Sequence, residues 1–231
     1  MIHVLLVEDD AEIARTIRYY LGAEEIYDVT WAKTGAEAVS LMSDSFDIVL
    51  MDVMLPDGNG IDVCESLREH RKCPLIFLSC IDDTDTIVRA LSKGGDDYIT
   101  KPFNNKILTA RIEANLRRVR MEHELPDGES MSCGAFTLDV HDRCIVRGGE
   151  RIALSRMECR LLAYMMKNEG RYFKSGELYK MLWGGSSFGD NRTVVVHIHN
   201  LRKKIEENYL EPKYLVNVRG RGYAFVRPAE E

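Results

Sequence analysis

Apolar residues fall along the first half of the chain in short continuous runs, at residues 2–7, 28–32, 47–51 and 74–79, with a briefer one at 98–99. Runs of this length without polar alternation predict strands buried on both faces. Between them, apolar positions recur at helical spacing over residues 11–21, 36–42, 61–69, 84–93 and 106–120. Five strand–helix units in succession predict an α/β fold: a doubly wound, five-stranded parallel sheet covered by helices on both sides. In such sheets ligands gather beyond the carboxyl ends of the strands.

The rhythm breaks over residues 121–132, where charge, Pro126 and Gly128 mark a linker between a domain at 1–120 and another at 133–231. Past it come short β runs at 135–139, 144–147 and 151–153, then helical stretches near 156–167, 175–182 and 192–208. The chain closes on two β runs joined by a Gly–Arg–Gly turn, which predicts a hairpin. Three helices followed by a hairpin describe an α+β winged helix.

Composition narrows the class. The 231 residues are 45% hydrophobic and 29% charged, as in a water-soluble globular protein. No stretch approaches the roughly 20 apolar residues that cross a bilayer. The first apolar run passes at once into acids, unlike a signal peptide. Six cysteines without CxxC or CxxH spacing predict reduced thiols, so a cytoplasmic protein with no membrane partner is expected. The net charge of -6 is uneven: residues 1–122 carry a net of -8 and residues 123–231 a net of +2. From 192 to 227 there are eight Lys and Arg against three Glu, which points to separate partners for the two halves.

Polar residues stand where the predicted strands end. Glu8 and Asp9 follow the first, Asp52 follows the third, Ser79 closes the fourth, and Lys101 follows the fifth ahead of Pro102. A parallel sheet brings all five to one rim. Three neighbouring carboxylates repel one another and call for a hard, oxygen-liganded cation, for which Mg²⁺ is suited. Lys101 supplies an ammonium for an incoming phosphate and Ser79 a hydroxyl donor. Together they make Asp52 a candidate nucleophile towards a phosphoryl group.

In the second half, Val194, Ile198, Leu201 and Ile205 mark the core face of a helix. The opposite face is expected to present Val196, His199, Asn200 and Lys203, flanked by Arg192 and Lys204. Basic, amide and apolar groups together suit a DNA major groove: cations meet phosphates, Asn pairs with a base edge, Val touches a thymine methyl. Arg219 and Arg221, around Gly220, are placed to reach a minor groove or its phosphates. An RNA- or protein-binding output is the rival reading of this half.

The segments "LLVEDD", "MDVMLPDGNGID", "LIFLSC" and "GGDDYITKPF" resemble the flavodoxin-like receiver domain of bacterial two-component response regulators, in order and spacing across residues 1–120. The resemblance implies that Asp52 accepts phosphate from a sensor histidine kinase. It implies Mg²⁺ held by Asp9, Asp52 and the Met54 backbone carbonyl, with Glu8 acting through a water, and Ser79 and Tyr98 as switch residues. A haloacid-dehalogenase phosphatase would want a second Asp where Met54 stands, so no enzyme is expected. Cys80 occupies a position usually held by Ala or Gly; its bulk beside the phosphoryl group implies slow self-dephosphorylation.

"LSRMECRLLAYMMKNEGRYFKSGELYKMLWG", "DNRTVVVHIHNLRKKIE" and "VRGRGYAF" are similar to the winged-helix effector domain of the OmpR/PhoB branch. That resemblance implies a homodimer on tandem half-sites of double-stranded DNA. It also implies an RNA polymerase contact through the loop at 184–190. Asn200 replaces a commoner basic residue. Arg156 and Met157 replace a commoner Pro–Thr, leaving Ser155 to cap the helix. On the branch's dimer face, Asp97 with Arg111 and Asp96 with Arg118 are the expected cross-subunit pairs. Ile87 and Ile107 stand where the branch carries an ion pair, and are expected to meet across the dimer, the alternative being that both lie in a monomer's own core.

Overall fold

The computed structural model describes residues 1–41, 46–70, 73–122, 130–183 and 191–228. The chain divides into two compact units, Met1–Met121 and Glu122–Glu231.

In the first unit the elements run β1 (Ile2–Val7), α1 (Ala11–Gly22), β2 (Tyr27–Ala32), α2 (Gly35–Leu41), β3 (Ile48–Asp52), β4 (Met54–Leu55), β5 (Gly58–Asn59), α3 (Gly60–His70), β6 (Leu75–Ser79), α4 (Thr84–Ser92), β7 (Asp97–Thr100) and α5 (Asn105–Glu122). The five-stranded sheet is parallel in the order β2-β1-β3-β6-β7. All five residues of β3 and of β6 are buried, as their unbroken apolar runs require. One core layer joins Val4, Leu6, Leu50 and Ile76 to Ile17 and Leu21 of α1 and Leu108 and Ile112 of α5.

Strand order reverses beside β1: β2 lies on one side and β3 on the other. The first and third carboxyl ends therefore adjoin at the switch point of the sheet. Gly60 closes the loop after β3 by passing over it; a Cβ there would lie 1.9 Å from the Asp52 carbonyl oxygen. From the same loop, Asp57 accepts the N–H groups of Gly35 and Ala36 (both 2.9 Å) and so caps α2 from another part of the chain.

The second unit holds β8 (Ser130–Ser132), β9 (Thr137–Asp139), β10 (Cys144–Arg147), β11 (Glu150–Ala153), α6 (Arg156–Lys167), α7 (Ser175–Trp183), α8 (Asn191–Ile205), β12 (Leu215–Val218) and β13 (Gly222–Phe225). Strands β8 to β11 form an antiparallel sheet, and β12 and β13 form a hairpin. Ser155 caps α6 in a reciprocal box with Glu158, so Arg156 and Met157 cost it no cap. Leu161, Leu162, Leu178, Val194, Ile198 and Leu201 meet in one core with Phe173 and Phe225. Several elements depart from expectation: the short strands β4 and β5 are additional, β8 lies within the stretch read as linker, α5 runs on to Glu122, and α8 stops at Ile205. Residues 123–129 lie outside the described residues.

Candidate functional site

The five residues at the strand ends are three carboxylates, a lysine seated between two of them, and a hydroxyl. Lys101 Nζ donates to Glu8 Oε2 at 2.6 Å and to Asp52 Oδ2 at 2.5 Å. The Met54 N–H donates to Asp52 Oδ1 at 2.9 Å, so both oxygens of Asp52 are held. Carboxylate oxygens of Glu8, Asp9 and Asp52 lie within 4.8 Å of one another, with Asp9 exposed and the other two buried. Glu8 Oε1 is buried without a hydrogen-bond partner among the described residues. A buried carboxylate oxygen lacking a donor, in an all-oxygen cluster, fits a hard cation. Burial pushes the Glu8 carboxyl up to about 7 against the downward pull of Lys101. Burial by itself would lower the Lys101 ammonium, but its bonds to Asp52 and Glu8 outweigh that and hold its pKa above the usual lysine value. Asp10, the third acid of the run, accepts from the Glu12 and Ile13 N–H groups and caps α1.

Ser79 and Tyr98 meet on a residue that sequence reasoning did not mark. Buried Ser79 Oγ accepts the Ile81 N–H at 3.1 Å, and the Tyr98 hydroxyl donates to the Ile81 carbonyl at 2.7 Å. The Tyr98 ring is therefore turned inward, 1% exposed. Cys80, between them in sequence, is exposed and free.

The expected dimer face is corrected at Ile87. Ile87 is 1% exposed and lies in the interior of its own unit, because it falls on the inward stripe of α4 with Ala90 and Leu91. Ile107 is half-buried. Asp96 is buried, and its Oδ2 is held by Arg68 of α3 at 2.6 Å and by the Leu75 N–H at 2.9 Å. The same guanidinium donates to the Gly94 carbonyl and to that of Cys73. Asp97 and Arg111 pair within the chain at 2.8 Å, both buried. The Arg118 side chain lies outside the described residues.

Helix α8 also departs from expectation. Both α6 and α7 pack against it, and at about 100° per residue its buried positions span a sector of roughly 200°. Val196 and Asn200 fall at the edge of that sector and are buried, not presented. The outward face carries half-buried Arg192 and His199 with exposed Val195 and Lys203; Val195, 44% exposed, was missed because it adjoins the core stripe in sequence. Lys204 is tied to Glu158 Oε2 (2.7 Å) and the Ala153 carbonyl (3.0 Å), at the cap of α6. Burial, then Lys203 and Arg202, lower the His199 pKa, favouring the neutral ring. In the hairpin, Arg219 and Arg221 are exposed, and the Arg221 guanidinium lies 3.9 Å from the Tyr172 ring centre. The loop at 184–190 lies outside the described residues.

Residues 4–113 match the family described as "Response regulator receiver domain", and residues 149–225 match "Transcriptional regulatory protein, C terminal". The sensory transduction protein RegX3 of Mycolicibacterium smegmatis is 38% identical over 225 residues, covering 96% of this chain and 98% of that one. The transcriptional regulatory protein YvrH of Bacillus subtilis is 34% identical over 224 residues, covering 96% and 94%. Among solved structures, a mutant of RitR superposes with a TM-score of 0.71 at 28% identity, covering 97% of this chain and 99% of that one. The Thermotoga maritima OmpR/PhoB homologue DrrB does so with a TM-score of 0.51 at 28% identity, covering 98% and 99%. No helix among the described residues is long and apolar enough to cross a membrane. The chain belongs to the two-component response regulators of the OmpR/PhoB type, DNA-binding transcriptional regulators and not enzymes, in which a receiver domain precedes a transcriptional regulatory domain.

Proposed function

We propose that this regulator is switched by phosphorylation of Asp52, with a sensor histidine kinase as donor. The observation that carries the reading is the Lys101 ammonium seated between Glu8 and Asp52, residues 93 and 49 positions away in sequence. In the transfer, the N–P bond of a phosphohistidine breaks as an O–P bond forms to an Asp52 oxygen. Lys101 then exchanges its bond to the carboxylate for one to the phosphoryl oxygens, and the Ser79 hydroxyl turns to donate to them. Asp9, Asp52 and the Met54 carbonyl, with Glu8 through a water, would hold Mg²⁺, which when bound offsets negative charge at the phosphoryl group.

The output is duplex DNA, met by α8 through Arg192, Val195, His199 and Lys203 and by the hairpin through Arg219 and Arg221. A homodimer sets two such surfaces on tandem half-sites. With Ile87 and Asp96 enclosed, the dimer face is carried by other residues of α4, β7 and α5. The protein acts in the cytoplasm with its kinase and RNA polymerase, the latter met by the loop at 184–190. Acetyl phosphate with Mg²⁺ should shift the wild-type chain on a phosphate-affinity gel and raise its affinity for duplex over single-stranded DNA. Asp52→Asn should do neither. Absence of phosphate uptake by the wild type, or equal uptake by the variant, refutes the assignment.

A further inference from the structure

Beyond α8 the chain makes a tight turn, and its anchor is a carboxylate. Glu206, 6% exposed, accepts the N–H groups of Lys213 (2.9 Å), Tyr214 (3.0 Å) and Leu215 (2.9 Å). Within the turn, Asn208 Oδ1 accepts the Leu210 N–H at 3.1 Å and the Asn208 carbonyl accepts the Glu211 N–H at 3.1 Å. A backbone secured at these points presents Tyr209, 40% exposed, at a defined place. Its ring lies edge-on to His199, with centroids 5.5 Å apart and planes at 87°. Lys203 Nζ stands 5.8 Å from the same ring centre. One side chain outside α8 thus packs edge-on against one of the four residues on the helix's outward face and lies near a second.

We infer that Tyr209 is a positioning residue for sequence reading by α8: its ring fixes the plane of His199 and keeps Lys203 beside it. The inference rests on the DNA-binding reading above. An imidazole without a neighbour to fix it can turn about its outer torsion and offer its two nitrogens in several directions. Edge-on packing against a ring held by a fastened turn removes most of that freedom before DNA arrives. A neutral His199 offers one donor and one acceptor, so a fixed plane gives a defined pattern to a base edge, whereas a rotating ring gives none. Lys203, over the same ring, meets backbone phosphates and carries affinity without sequence preference. Loss of the Tyr209 ring therefore acts on discrimination more than on binding.

The test selects duplexes from a pool of randomised double-stranded DNA with the wild-type full-length chain. Binding to the selected duplex and its single-base variants is then measured at several salt concentrations. Tyr209→Ala should lower discrimination at one or two base pairs by roughly five- to tenfold, the scale of one lost base contact. Its affinity for unselected DNA and its salt slope should stay near wild type. Tyr209→Phe, which keeps the ring, should discriminate as the wild type does. In a His199→Ala background, Tyr209→Ala should cost no further discrimination. Thermal melts check folding, and Tyr209→Leu answers the same question if the alanine variant does not fold.

Unchanged discrimination in Tyr209→Ala overturns the inference and leaves the DNA reading intact. An equal loss in Tyr209→Phe overturns it in favour of a hydroxyl contact, and an equal loss with or without His199 overturns the coupling. A wild-type chain that enriches no duplex overturns the DNA reading and the inference together.

Discussion

Replacing Lys101 by Met removes the cation seated between Glu8 and Asp52 while keeping most of the side-chain volume. Side-chain exposures of 6% for Lys101, 1% for Glu8 and 9% for Asp52 make this a buried group. Stripping one partner from a buried ion pair costs about 3–5 kcal/mol. Exposed Asp9 lies beside the cluster, and solvent reaching the rim brings the expected loss to about 2–3 kcal/mol for the magnesium-free receiver. The same change should strengthen metal binding. A unit positive charge held between two of the carboxylates that would bind a divalent ion opposes that binding. Removing that charge should tighten Mg²⁺ binding by about tenfold. Urea unfolding with and without millimolar Mg²⁺ reads both effects: Lys101→Met should be less stable than wild type without the ion and should regain more on adding it. Equal stability without the ion, or an equal gain in both proteins, would show that the lysine does not neutralise this site.

Three shorter tests address other parts of the chain. The Asp57 carboxyl is held below the usual range by the Ala36 and Gly35 N–H groups, so its contribution is present above the unfolded carboxyl pKa and lost as pH falls through the folded value. Asp57→Asn should therefore weaken the receiver at neutral pH and flatten its acid unfolding below about pH 4; an unchanged acid limb refutes the cap. A Cβ at Gly222, where φ is +102°, would lie 2.1 Å from the Phe173 carbonyl oxygen, so Gly222→Ala should cost the second unit more than about 2 kcal/mol in a thermal or urea melt; a wild-type melt refutes the close approach. Cys80→Ala should speed loss of phosphate from Asp52 by opening the acceptor to water, followed as decay on a phosphate-affinity gel; unchanged or slower decay removes any role for its bulk.

Element type and order were legible along the chain because each depends on local periodicity. Unbroken apolar runs identified β1, β3 and β6, and three helical stretches before a hairpin identified the second unit. The pocket was legible too, since parallel strands must bring their ends to one rim, and Glu8, Asp9, Asp52 and Lys101 sit at those ends. Ser132, in contrast, was assigned to a linker and lies in β8, because a three-residue strand has no period to detect.

Partner choice and the width of a buried face were decided only in three dimensions. The stripe at Val194, Ile198, Leu201 and Ile205 located the centre of the buried face of α8, but two packing helices widened it enough to enclose Val196 and Asn200. Asp96 Oδ2 accepts from Arg68, 28 residues away, a partner that nothing in the local sequence pattern marks. A sequence determines which side chains are chemically able to pair and which backbone pattern repeats. Which of several arginines reaches one carboxylate, and how far round a helix its neighbours extend, depends on distances that the folded backbone alone sets.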